Sequence, residues 1–473
     1  MVPGTLLTTL LLALAVAANP IIVQRSLVTL PISRRINLTS ISNLLQHDQA
    51  RARALKATGE AKVATGGISA HSDVVISSPA DNQAVSYIAS VGVGSPATTY
   101  SLIIDTGSSN TWVGATKAYV KTSTSTQTPD SVWTSTETEK PAKNFNSDSP
   151  PGSPGPQNDH CQLAYVGYTE QWLEIPEYRL LQLSLPPPFK LSCTSRRIED
   201  SLHHILILRL VTSLVIPKQS IGVAARSTGF AGVDGIIGIG PVDLTLGTLS
   251  PHTTATIPTV TDNLFAAGTI TANEIGVSFE PITSPTGEQL NGELTWGGID
   301  SSKFTGAITF TPITTVSPSK LFWGINQSIR YGTTTILSST PGIVDTGTTL
   351  VLIATNALNS YKSLTGAVVD SRTGLLKITS TQFANLKTLS FVVSGVSFGL
   401  TPNGQLWPRN LNTLIGGTAS SILLIVADIG TNSGSGLDFI NGQTFLERFY
   451  AVFDTAGKRV GLATTSFTTA TTN

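Results

Sequence analysis

Two aspartates sit in closely matched surroundings, Ile103-Ile104-Asp105-Thr106-Gly107-Ser108-Ser109 and Ile343-Val344-Asp345-Thr346-Gly347-Thr348-Thr349. In each, apolar β-branched residues lead into a carboxylate followed by a hydroxyl residue and a glycine, the pattern of a buried strand breaking into a tight turn. Burying a carboxylate is costly. One copy alone reads as an ordinary turn, whereas two copies with matched flanks point to a duplicated unit that brings both carboxylates to one site. Carboxyls that close cannot both ionise, so they share a proton and titrate as a pair. Such a pair does acid and base work with one residue type: one carboxylate takes a proton from water while its neighbour protonates a carbonyl oxygen.

Other chemistries lack their residues. The six histidines include one adjacent pair, His203-His204, whose side chains diverge on a strand, and there is no H-E-x-x-H motif or cysteine cluster, so no metal and no other cofactor is expected. The run Gly232-Val233-Asp234-Gly235-Ile236-Ile237-Gly238-Ile239-Gly240 contains G-x-x-G-x-G but lacks the Lys-Ser/Thr ending of a phosphate loop. Cys161 and Cys193 could bridge in an oxidising compartment and otherwise decide little.

At the two Asp-Thr-Gly motifs the chain resembles the pepsin-family aspartic endopeptidases, and is most similar to their secreted fungal polyporopepsin-like group. The similarity runs through residues 91–113, 216–261 and most of 323–468. It implies a mainly β, bilobal pepsin-like acid protease fold, two duplicated lobes with the active site in the cleft between them. It also implies that Asp105 and Asp345 are the catalytic acids, Asp345 ionised and Asp105 protonated when water attacks. Thr106 and Thr346 would cross-link the two loops, Gly107 and Gly347 would let backbone N–H groups reach the carboxylates, and Ser108 and Thr348 would bond the outer carboxyl oxygens. Trp112 matches a tryptophan that steadies a flap tyrosine, and also reads as plain core. Expected partners are protein or peptide substrates, with large apolar residues preferred beside the cut, and the chain's own propeptide. The enzyme is expected to act as a monomer at acid pH.

The elements that must position these residues follow from the rest of the chain. Its 473 residues can bury a sizeable core, and only 12% are charged, with abundant Gly, Ser and Thr, as many short strands joined by polar turns require. Formal net charge is zero, so nothing recommends nucleic acid or an anionic membrane as partner. The zero hides an asymmetry. Residues 19–71 carry seven Lys and Arg against Asp48 and Glu60, while the remainder is acidic. A cationic leader on an acidic body suggests electrostatic docking of one on the other.

Residues 1–18 hold an apolar run ending in Ala15-Val16-Ala17, too short to span a bilayer and of signal-peptide length. The division expected is a signal peptide at 1–18, a propeptide at 19–71, a first lobe at 72–290 and a second at 291–473, in a secreted or, alternatively, vacuolar protein. Val85 to Val91 alternates as a half-buried strand, and Gly92 to Pro96 turns it towards Tyr100 to Ile104. The glycine-capped pairs of 232–240 are echoed by Leu437-Asp438-Phe439-Ile440-Asn441-Gly442, a second sign of duplication. Asn37-Leu38-Thr39 and Asn326-Gln327-Ser328 are glycosylation sequons.

The interval 127–215 is atypical. Residues 141–156 have the Pro, Ser, Gly and Asn composition of a disordered segment, and 180–188 and 203–208 match neither lobe's style. The resemblance predicts a flap hairpin here with a Tyr-Gly-x-Gly-type tip. The nearest phrase is Tyr165-Val166-Gly167-Tyr168, and a retained non-coding segment would explain the break. Two readings from other classes therefore remain: an inactive homologue that binds peptides in its cleft, and an extracellular β-rich adhesin whose Asp-Thr-Gly turns are only turns.

Overall fold

The computed structural model describes residues 27–36, 44–65, 85–132, 160–165, 172–176, 189–194, 202–211, 214–224, 227, 230–252, 254–282 and 289–473. Residues 1–18, expected to be a signal peptide, the sequon at Asn37, the stretches 141–156 and 180–188, and Val166 to Tyr168 lie outside them.

The leader contributes a strand, β1 (Val28–Ile36), and a long helix, α1 (Leu44–Ala64). Ala, Leu, Lys, Arg and Gln dominate α1 and no proline interrupts it, which suits a helix. Its buried residues are Leu44, His47, Asp48, Arg51, Ala52, Leu55 and Gly59, spaced three or four apart along one face. That face mixes His47, Asp48 and Arg51 with Leu44, Ala52 and Leu55, so helical burial leaves little hydrophobic periodicity to read.

The first lobe is built from β2 (Val85–Val93), β3 (Thr98–Asp105), β4 (Trp112–Val113), β5 (Thr126–Val132), β6 (Leu202–Val211), β7 (Leu214–Val223) and β8 (Gly235–Gly238). Two further strands, β9 (Glu274–Phe279) and β10 (Gln289–Trp296), lead towards the second lobe. There the corresponding elements are β11 (Thr334–Val344), β12 (Val351–Ile353), β13 (Val426–Asp428) and β14 (Phe439–Asn441), followed by the hairpin of β15 (Phe449–Asp454) and β16 (Arg459–Thr464).

The duplication is visible in the register. β3 runs parallel to β8 with Ile104 opposite Ile237 and Asp105 opposite Gly238, and β8 is antiparallel to β4, which is parallel to β7. In the second lobe β11 runs parallel to β14 with Val344 opposite Asn441, β14 is antiparallel to β12, and β12 is parallel to β13. The order β7-β4-β8-β3 thus recurs as β13-β12-β14-β11. Each aspartate stands at the buried end of its strand, beside a parallel neighbour whose residues are buried there.

β1 lies between β2 and β10, and β10, β9, β15 and β16 continue the same fourteen-stranded sheet. The expected lobe boundary at 290 therefore falls inside β10, and the sheet beneath the cleft takes strands from both halves. Leu30 and Ile32 of β1 and Leu44, Ala52 and Leu55 of α1 join a core cluster that also holds residues of both lobes. Full burial of each leucine contributes about 2 kcal/mol.

The stretch set apart by its composition is partly structural. β6 pairs with β5, β7 and β2, and Leu206, Leu208 and Leu210 are buried in alternation. Residues 202–211 and 214–223 thus pair as antiparallel strands of the first lobe, and the foreign-looking interval is narrower than the sequence suggested. Strands His160–Tyr165, Trp172–Pro176 and Phe189–Thr194 form a small separate sheet in which Cys161 and Cys193 are register partners. Asn326 is exposed on the strand Gly324–Tyr331.

Candidate active site

Asp105 closes β3 and Asp345 directly follows β11, and the two are 1% and 0% exposed. Their loops are tied together by the adjacent threonines. Thr106 N–H donates to Thr346 Oγ1 at 3.0 Å and Thr346 N–H to Thr106 Oγ1 at 2.9 Å. Each hydroxyl in turn donates to the carbonyl preceding the opposite aspartate, Thr106 Oγ1 to Val344 O at 3.2 Å and Thr346 Oγ1 to Ile104 O at 2.9 Å. Four bonds among buried groups fix the spacing of the two carboxyls.

The carboxyl environments match pairwise. Gly107 N–H donates to Asp105 Oδ1 at 2.9 Å and Ser108 Oγ to Asp105 Oδ2 at 2.5 Å. Gly347 N–H donates to Asp345 Oδ1 at 3.0 Å and Thr348 Oγ1 to Asp345 Oδ2 at 2.6 Å. The glycines are required by close approach. A Cβ on Gly107 would lie 2.8 Å from Asp345 Oδ1, and one on Gly347 2.7 Å from Asp105 Oδ1. Each loop's glycine makes room for the carboxylate of the other.

Arg51 of α1 lies over the pair. Its Nη2 donates to Asp105 Oδ1 at 2.5 Å and to Asp345 Oδ1 at 3.0 Å, and its Nε donates to Asp345 Oδ2 at 2.8 Å. One nitrogen therefore reaches an oxygen of each aspartate, and the two oxygens are no further apart than the sum of those distances. Burial works against the charge on Arg51, 2% exposed, but the two carboxylates outweigh it and hold its pKa above the ordinary value. Burial likewise pushes Asp345 up, and the Arg51 guanidinium, the Thr348 hydroxyl and the Gly347 amide outweigh it and hold that carboxyl below the usual range.

One turn before Arg51, Asp48 enters the second loop just past its glycine. Asp48 Oδ2 accepts from Leu350 N–H at 2.7 Å and from Thr349 N–H at 3.1 Å, and Oδ1 from Thr349 N–H at 3.3 Å. Elsewhere on α1, Gln49 Nε2 donates to Asp428 O at 2.9 Å, and Lys62 Nζ donates to Leu246 O. The helix therefore touches both lobes and covers the pair between them.

Trp112, on β4, is buried in a cluster with Ile88, Ile103, Phe230, Val233 and Ile236, its ring edge-on to Phe230 at 4.7 Å between centroids. It is core packing here. Of the phrase nearest a flap tip, Val166 to Tyr168 lie outside the described residues. The structure brings together all eight of the other residues expected at the site, Asp105, Thr106, Gly107, Ser108, Asp345, Thr346, Gly347 and Thr348. Sequence reasoning missed Arg51 and Asp48. The leader's positive charge pointed to docking on the acidic body but not to which of its seven basic residues meets the aspartates, and Asp48 carried no signal beyond being one of two acids in a basic segment. Among the described residues no three His, Cys, Asp or Glu side chains are grouped as a metal site requires.

The family model for eukaryotic aspartyl proteases matches residues 86–146 and 210–465, omitting 147–209. Polyporopepsin of Irpex lacteus is 55% identical over 396 residues, spanning 84% of this chain and 98% of its own length. Rhizopuspepsin of Rhizopus chinensis is 32% identical over 255 residues, 53% of this chain and 57% of its own. The crystal structure of the aspartic proteinase from Irpex lacteus matches with a TM-score of 0.67 at 48% identity, covering 95% of this chain and 100% of that one.

Proposed function

This chain belongs to the eukaryotic aspartyl protease family and is an aspartic endopeptidase; from that premise we propose that Asp105 and Asp345 are its catalytic pair and that it is made as a secreted zymogen. The observation that carries the reading is the single Arg51 nitrogen within hydrogen-bonding reach of both aspartates. Once that nitrogen leaves, a water molecule can take its place between the same two oxygens.

The ionised Asp345 takes a proton from that water as its oxygen attacks the scissile carbonyl carbon, and Asp105 protonates the carbonyl oxygen. The resulting gem-diol collapses as Asp345 passes the proton it took from water to the amine nitrogen, Asp105 takes one back from a diol hydroxyl, and the C–N bond breaks. Thr106 and Thr346 hold the two carboxyls at working distance, and the glycine amides and the Ser108 and Thr348 hydroxyls stabilise them as anions. Near-equivalent bonding on the two sides lets one proton serve either carboxyl.

In the zymogen, residues 1–18 direct secretion and 19–71 form the propeptide, whose Arg51 neutralises the pair and whose helix occupies the cleft. The lobes 72–290 and 291–473 accept an extended protein substrate between them, with apolar side chains preferred beside the cut, and the protein works as a monomer away from the membrane. Among the described residues no helix is long and apolar enough to cross a bilayer.

Casein digestion at acid pH, with and without pepstatin, tests the assignment. Asp105→Asn and Asp345→Asn are each expected to lower kcat by about 100-fold or more, the scale of a lost general acid or base, with the fold unchanged by circular dichroism. Unimpaired cleavage by either variant, or cleavage indifferent to pepstatin, would overturn it.

A further inference from the structure

We propose that Trp323 is a positioning residue for the catalytic pair: its indole N–H and its main-chain carbonyl fasten the backbone beside Asp105 and the backbone beside Asp345 to one residue. The inference rests on the catalytic reading above and adds a tie between the lobes that the paired threonines do not supply.

Trp323 stands immediately before the strand Gly324–Tyr331 of the second lobe and is 2% exposed. Its Nε1–H donates to Ile239 O at 3.0 Å, between buried groups and across 84 positions of the chain. Ile239 directly follows β8 in the first lobe, and its own N–H donates to Asp105 O at 2.8 Å. On the other side, Trp323 O accepts from Val344 N–H at 3.1 Å, and Val344 O is the acceptor of the Thr106 hydroxyl. Trp323 is thus two hydrogen bonds from the main chain of Asp105 and one from the residue preceding Asp345. Its ring packs against Phe453 of β15 at 5.3 Å between centroids, so the donor is aimed by the sheet beneath the cleft.

The contact is one-sided. Gly324 is opposite Ile343, two residues before Asp345, and Ile88 is opposite Ile103, two residues before Asp105, which makes Tyr87 the first-lobe counterpart of Trp323. The Tyr87 hydroxyl donates to Glu280 O at 3.1 Å and to Glu447 Oε1 at 3.3 Å, acceptors outside both aspartate loops. The placement of Asp105 therefore leans on a second-lobe side chain, and that of Asp345 has no such partner in return. Removing the indole donor strips a buried carbonyl of its hydrogen bond and frees the end of β8 to move against Asp105. A misplacement of about 1 Å can cost about 100-fold in rate. The same loosening weakens the repulsion between the carboxyls, which is what separates their apparent pKa values.

The test compares two buried tryptophans in enzyme activated from the full chain. Trp407 is 1% exposed and its indole N–H has no partner among the described residues, so Trp407→Phe removes the same atoms and no hydrogen bond. Trp323→Phe should lower kcat on a fluorogenic peptide about tenfold, a partial loosening on that scale, with KM unchanged. The two limbs of its pH profile of kcat/KM should draw together. Trp407→Phe should lower the urea midpoint and leave kcat and both limbs in place. Trp323→3-benzothienylalanine, which keeps the shape of the ring and lacks only the N–H, should reproduce the kcat loss, and it serves alone if the phenylalanine variant does not fold. Parental kcat in the benzothienyl variant, or a loss in Trp323→Phe matched by Trp407→Phe, would overturn the proposal. Asp105→Asn and Asp345→Asn would still be impaired in that case, so failure of the tie is distinguishable from failure of the catalytic assignment.

Discussion

Arg51 joins two functions through one contact. Its ion pairs with Asp105 and Asp345 are buried on both sides, so the charges cannot be separated without leaving carboxylates unpaired in a low-dielectric cleft. The pH dependence follows from the sign of the Asp345 shift. With the helix docked, Asp345 binds its proton less readily than the ordinary value of 3.8. Docking therefore gains from this group above about that pH and loses the gain as pH falls through the lower, docked value. On the proposed zymogen reading, acid release of the leader is the expected outcome. Arg51→Ala should process itself at a higher pH than the parent, and gel analysis of zymogen incubated across a pH series checks it. Identical onset in both would show that Arg51 does not set the threshold.

At the scale of elements, α1 and β6 each depend on a feature that local sequence rules disfavour or overlook. Gly59 lies inside the helix, where glycine costs about 1 kcal/mol relative to alanine. A Cβ there would lie 2.5 Å from Pro318 Cβ and 3.2 Å from Phe322 Cε2, so the residue is kept small to let the helix settle on the second lobe. Gly59→Leu should raise the helicity of the isolated 44–64 peptide and weaken its inhibition of the mature enzyme. Those opposite signs separate docking from propensity. In β6, Leu208 is fully buried opposite Ile216 and Val93. Leu208→Asp should cost about 3 kcal/mol or more, the price of an unpaired carboxyl in a core, read as a lower urea midpoint. A neutral result would mean that residues 202–211 are not in the sheet.

Across the whole molecule, the leader is part of the fold rather than a plug laid on it. β1 is hydrogen-bonded to β2 and β10, and Arg34 pairs with Glu447 at 2.5 Å with both side chains almost wholly buried. Tyr87 donates to the same carboxylate at 3.3 Å and stacks on Phe279. Arg35 donates to Gly232 O in the first lobe. The leader is thus anchored in the sheet beneath the cleft as well as at the aspartates. Arg34→Ala should destabilise the zymogen by about 3 kcal/mol in urea because it strands Glu447 in the interior. Replacing both partners by apolar residues, Arg34→Met with Glu447→Leu, should recover most of that loss. Failure to recover would point to a role for the pair beyond mutual neutralisation.

The sequence by itself determined the β class, the duplication and the acids. These are written in short-range signals: an aspartate, a hydroxyl residue and a glycine following β-branched residues, twice, each echoed by a glycine-flanked apolar strand. Such patterns report local geometry and burial, and the structure reproduced them, with eight of the nine expected site residues at the carboxyls and Trp112 in the core. Tertiary structure alone decided which basic residue of the leader meets the acids, because Arg51 reaches Asp105 and Asp345 across 54 and 294 positions. The buried face of α1 mixes His, Asp, Arg and Gly with its few apolar residues, so periodicity could not mark it. The same holds for β6, whose side chains look foreign to the chain around them but whose alternating leucines find a vacant place between neighbouring strands. Contacts between distant segments depend on what the intervening chain has already built, and no local pattern carries that information.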